Sequence, residues 1–143
     1  MAPRLRLLEL SEAAYGSDHR EVAPILNNLG NAWRELGQPA KARDLFQRAL
    51  AIEEREYGSD HPQVAPTLNN LGIAWSDLGQ PAKARDLSQR ALRILHQHFP
   101  GGHPFTDGIA RNLRRVDPDA VLLSDGRVVR RAGGRPPDVQ QLS

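Results

Sequence analysis

The sequence predicts an all-α fold, an open stack of antiparallel helix pairs followed by a short non-helical tail. Three observations carry this. A unit repeats at an offset of 42 residues, from Tyr15 to Ile52 and again from Tyr57 to Ile94, with 30 of 38 aligned positions identical. Apolar residues in each unit recur at helical spacing. Glycine and proline divide each unit into two segments.

The elements follow in chain order. Arg6, Leu8 and Glu12 stand 42 residues before Arg48, Leu50 and Glu54, so the chain opens inside a half repeat, residues 5–15. The full repeats are 16–57 and 58–99, and 100–116 is a partial one, marked by His103, Pro104, Asn112 and Leu113. The body of the protein is thus expected over residues 1–116.

In each full repeat the first helix is expected to begin at Asp18 or Asp60, with Glu21 or Gln63 completing a capping box. Leu26, Leu29, Gly30 and Trp33 then share one face, as do Leu68, Leu71, Gly72 and Trp75. Both tryptophans read as core against the second helix. Pro24 and Pro66 sit awkwardly inside such helices, which therefore start late or kink.

Gly37 and Gly79 stop the first helix, and Pro39 and Pro81 start the second. The second helix carries a stripe of Ala42, Leu45, Phe46, Ala49 and Leu50. Its copy has Ser88 in place of Phe46, a core loss of up to about 3–5 kcal/mol unless neighbours close in. Asp44 and Arg48 are spaced for an exposed i, i+4 pair.

Beyond Val116 the pattern changes. Asp117-Pro118 breaks the helix, a β-hairpin is expected over 120–130 around Asp125-Gly126, and the end through Ser143 is expected to be disordered.

Composition excludes several function classes. The chain has 143 residues and no cysteine, so disulfides, thiolate nucleophiles and cysteine-ligated metal centres are out. No apolar run is long enough for a membrane span. Glu9 and Glu12 interrupt the early leucines, so no signal peptide is expected and the cytoplasm is the expected compartment. Net charge is +2, and it is unevenly placed. Residues 1–110 carry 12 cations and 13 anions, while 111–143 carry seven arginines and four aspartates. The body is therefore not expected to bind nucleic acid, and only the arginine-rich tail offers it a weak foothold.

No metalloprotease helix, nucleophile elbow or glycine-rich phosphate loop occurs, so no catalytic residue, metal or cofactor is expected. His96 and His98 point about 200° apart on a helix and cannot share a metal. His19, His61 and His103 recur with the repeat and read as linker residues.

The spacing of Leu26, Leu29, Gly30, Trp33, Ala42, Phe46 and Ala49 resembles the tetratricopeptide repeat. The longer period, Glu54 at the usual proline position, the linker YGSDHP and the segment LNNLG resemble its kinesin-light-chain subtype. This resemblance implies a right-handed solenoid whose first helices line a concave groove. It also implies a non-enzymatic module that holds an extended peptide or helix of a protein partner.

Asn28, Asn70 and Asn112 stand one per repeat, on the helix face opposite the leucines. The resemblance implies that such a ladder hydrogen-bonds a bound peptide backbone. An amide both donates and accepts, which suits peptide groups of any sequence. Specificity is expected from Asn27, Asn31, Arg34, Asn69, Ile73 and Arg111. The alternative reading is a fragment of a larger signalling protein that self-associates through its solenoid ends, since two full repeats are few for a stable stack.

Overall fold

The computed structural model describes residues 2–131. It contains helices α1 (Ala2–Tyr15), α2 (Val22–Glu35), α3 (Pro39–Tyr57), α4 (Ala65–Asp77), α5 (Pro81–His98) and α6 (Thr106–Val116). Strands β1 (Ala120–Leu122) and β2 (Val128–Arg130) follow. The expected disordered end, residues 133–143, lies outside the described residues.

Each helix packs on the next, and the first helices α2, α4 and α6 also touch along the stack. The result is an α-solenoid of helix pairs α2/α3 and α4/α5, flanked by α1 and α6. One apolar cluster runs from Ala42, Phe46 and Leu50 through Leu68, Leu71, Leu92 and Leu95 to Ile109, Leu113, Ala120 and Val128. A second joins Val22, Ala23, Leu26, Ala49 and Ile52, with Leu8 of α1 against it.

The punctuation of the chain is visible in its backbone. After α2 the Gly37 N–H donates to the Arg34 carbonyl and the Gln38 N–H to the Trp33 carbonyl; Gly79 and Gln80 repeat this on Ser76 and Trp75. That double closure needs a left-handed residue, and Gly37 and Gly79 both have φ +75°. The proline question resolves in favour of a late start. Pro24 and Pro66 fall in the first turns of α2 and α4, where a backbone N–H has no helical partner to lose.

The expected aspartate caps are corrected. Neither α2 nor α4 has a side-chain cap, and Asp18 and Asp60 are exposed. The histidines cap the turns instead. Nδ1 of His19, His61 and His103 accepts from the backbone N–H of Glu21, Gln63 and Phe105 at 3.1, 3.0 and 3.1 Å. Each ring also packs on the aromatic residue four positions earlier, Tyr15, Tyr57 or Phe99, with centroids 5.0, 5.2 and 4.6 Å apart.

The Asp44–Arg48 pair is likewise not formed. Arg43 takes Asp44 at 3.0 Å, and Arg48 reaches back to Glu12 of α1 at 2.7 Å and to the Ser17 carbonyl at 2.9 Å. Arg90 copies this on Glu54 at 3.4 Å and the Ser59 carbonyl at 2.7 Å. Glu54, which departs from the usual repeat pattern, thus ties one unit to the next.

The tryptophans pack against the core cluster, as expected, and are half-buried there. Lys41 Nζ lies 4.2 Å from the Trp33 ring centre, and Lys83 Nζ lies 4.0 Å from that of Trp75. Around Ser88, which is buried, α6 closes in and leaves a hollow of about 20 Å³ bordered by Gly72, Asn112 and Val116.

The two strands pair antiparallel, with Val121 opposite Val129. A lone hairpin is marginal. This one buries Ala120, Val128 and Val129, shares a cluster with Ile109 and Leu113, and binds Asp117 at the end of α6 through Arg130 Nε at 3.1 Å. It therefore occupies the end of the stack.

Candidate functional site

The first helices carry every asparagine of the expected ladder, because α2, α4 and α6 repeat the same register. They hold the apolar stripe against the second helices, so polar residues of the opposite face are left on one side of the stack. On that side a cleft of about 330 Å³ lies between the two full repeats. Ala23, Pro24, Asn27, Asn28 and Asn31 of α2, Ile52, Glu53 and Tyr57 of α3, and Pro66, Thr67 and Asn70 of α4 border it, with Arg20 and Gln63 at the linkers. A neighbouring hollow of about 280 Å³ is bordered by Arg4 and Leu7 of α1 and by Ile25, Asn28, Asn31 and Glu35 of α2. Asn28 and Asn31 thus face both.

The remaining predicted residues have other engagements. Asn112 Nδ2 donates to Asn69 Oδ1 at 2.9 Å, joining α6 to α4. Arg34 Nε donates to Asp77 Oδ2 at 3.0 Å, joining α2 to α4. Ile73 borders the small hollow beside Ser88, and Arg111 is exposed. The cleft brings together Asn27, Asn28, Asn31 and Asn70; Asn69, Asn112, Arg34, Ile73 and Arg111 lie outside it.

Sequence reasoning missed the floor of the cleft. Glu53 is only 7% exposed. Thr67 Oγ1 donates to Glu53 Oε1 at 2.5 Å, and Asn27 Nδ2 donates to Thr67 Oγ1 at 2.9 Å and to Glu53 Oε1 at 3.4 Å. Burial pushes the Glu53 carboxyl above its ordinary value of 4.5, against the opposing pull of the Thr67 and Asn27 hydrogen bonds. Asn27 Oδ1 is buried without a partner.

Among the described residues this cluster occurs at one junction only. At the next, Leu95 and Ile109 stand in the places of Glu53 and Thr67, and both are buried. Thr67 is one of eight positions at which the two repeats differ, and that list of differences was the available signal.

No group of three or more histidines or carboxylates is placed to hold a metal ion among the described residues, and no helix there is long and apolar enough to cross a membrane.

The tetratricopeptide repeat family model matches residues 5–53 and 21–97. Two solved structures are similar. One is the kinesin light chain nearly identical TPR-like repeats of Podosopora anserina, with a TM-score of 0.72 and 21% identity over 79% of this chain and 54% of that one. The other is BtubC (BKLC) from P. vanneervenii, with a TM-score of 0.65 and 26% identity over 78% of this chain and 46% of that one. This chain spans about half the length of each. No curated protein matches it.

Proposed function

Since the chain belongs to the tetratricopeptide repeat family, with kinesin-light-chain-like repeats, and is in kind a protein–protein interaction module, we propose that the face formed by α2, α4 and α6 binds an extended peptide or helix of a partner protein. The observation that carries this is the convergence of Asn28, Asn31 and Asn70 on the cleft between the full repeats. Its volume, about 330 Å³, falls in the range of ligand pockets, roughly 300–1,000 Å³. Amides there suit a peptide backbone, each bond contributing about 1 kcal/mol. Asn69, Asn112, Arg34, Ile73 and Arg111 extend the same face as flanking contacts.

The test is a peptide selected from a displayed library on the full chain, with affinity measured by calorimetry. Replacing Asn28 and Asn70 together by alanine should weaken it roughly 30-fold, two bonds of about 1 kcal/mol each. Unchanged affinity with an intact circular dichroism spectrum would overturn the groove mechanism.

A second reading is self-association. Leu5, Leu7 and Leu10 of α1 are 39%, 52% and 52% exposed while Leu8 packs inward, so α1 sets three leucines on its outer side among the charged Arg4, Arg6 and Glu9. The hairpin occupies the opposite end of the stack, which leaves α1 as the associating surface. Sedimentation across a concentration series decides it; Leu7→Glu with Leu10→Glu should hold the chain monomeric, and a concentration-independent parent monomer would overturn it.

A further inference from the structure

Resting on the groove reading above, we propose that the cleft between the two full repeats takes one cationic side chain, lysine or arginine, of the bound segment, with the Glu53 carboxylate as its anchor.

The cleft holds an acid without a counter-charge. Glu53 is buried, and its hydrogen-bond partners, Thr67 and Asn27, are both neutral. None of the ion pairs among the described residues includes it. Among the described residues the one cation bordering the cleft, Arg20, is taken at 3.3 Å by Glu56. Asn27 Oδ1 beside Glu53 is a second acceptor in want of a donor. A guanidinium or ammonium brings several N–H donors and the missing charge together. Hydrogen bonds between ionised partners are about twice as strong as neutral ones, and stronger away from bulk water.

The anchor also solves a register problem. Amides that read only a peptide backbone hold any sequence and allow it to slide by two residues. A carboxylate present at one junction and replaced by Leu95 and Ile109 at the next sets a single position for the cation. The preferred ligand is then an extended segment with one basic residue seated between the repeats and small or polar residues on either side. The raised carboxyl agrees with a site that lacks its positive partner.

The test uses the full chain labelled with nitrogen-15 and two acetylated, amidated pentapeptides, Ala-Ala-Arg-Ala-Ala and the same sequence with citrulline for arginine. Citrulline keeps the shape and removes the charge. The arginine peptide should bind about tenfold more tightly and shift the side-chain amide signals of Asn27 and Asn70. In Glu53→Gln, the preference for arginine over citrulline should vanish. Equal binding of the two peptides by the parent chain, or a preference that survives in Glu53→Gln, overturns the cation anchor and leaves the groove reading standing. Failure of both peptides to bind at millimolar concentration overturns both readings. Should Glu53→Gln not fold, the arginine–citrulline contrast in the parent chain decides alone.

Discussion

Gly30 of α2 lies under the ring of Phe46 of α3, so close that a Cβ on Gly30 would stand 2.5 Å from Phe46 Cε1. The pair sets the spacing of the first helix pair. In the second pair Gly72 faces Ser88 instead, and a Cβ there would meet nothing nearer than the Ala84 carbonyl oxygen at 3.4 Å.

The same substitution should therefore act oppositely in the two repeats. Gly30→Ala forces the Phe46 ring from its seat, an overpacking cost of about 1–3 kcal/mol. Gly72→Ala meets ordinary contacts and gains up to about 1 kcal/mol of helix propensity. Urea denaturation of the two variants checks this, and equal shifts would contradict it.

Arg90 and Glu54 make an inter-repeat tie that is about one quarter and one third exposed. Such pairs contribute about 0–1 kcal/mol and weaken with salt. Arg90→Ala also strips the Ser59 carbonyl of its donor, so it should lose about 1–2 kcal/mol, more than Glu54→Ala. Thermal denaturation at low and high salt separates the two contributions, because only the ion pair is screened.

Glu53 makes stability depend on pH. Its carboxyl in the folded chain lies above the ordinary value of 4.5, so its favourable contribution is full below that value and is lost as pH rises through the folded one. Glu53→Gln keeps an acceptor for Thr67 and Asn27 and does not ionise. Relative to the parent, the variant should gain stability between pH 4 and pH 7. The parent–variant difference measured by urea at both values checks it; a constant difference would show that Glu53 titrates as if unfolded.

Gly126 closes the hairpin with φ +86° and its backbone rests on the His96 ring, where a Cβ would collide with that ring. Gly126→Ala adds about 1–2 kcal/mol of left-handed strain to that collision. Amide exchange should lose protection at Val128–Arg130 while α2–α5 keep theirs. Protection retained in β2 would show that the hairpin does not depend on this seat.

The sequence alone carried the repeat, its helices and their punctuation. These are short-range: a period near 3.6, a glycine that accepts positive φ, a proline in a first turn, and each lies within one unit. It also carried the asparagine positions, since register follows from the repeat. The contacts that define the site are of another kind. Asn27 meets Thr67 40 residues on, Arg34 meets Asp77 43 residues on, and Arg48 meets Glu12 36 residues back. All three cross from one unit to the next, at separations near the repeat length, and a helical period says nothing about them. The sequence assigned the caps to aspartate by propensity; the folded linkers gave them to histidines stacked on their aromatic neighbours. Glu53 stands in the sequence beside Glu54, Arg55 and Glu56, and no helical spacing sets it apart. Only stacking α4 on α3 brought Thr67 to that carboxylate, beside Asn27 of α2, because this burial is a property of the junction between units and not of either unit alone.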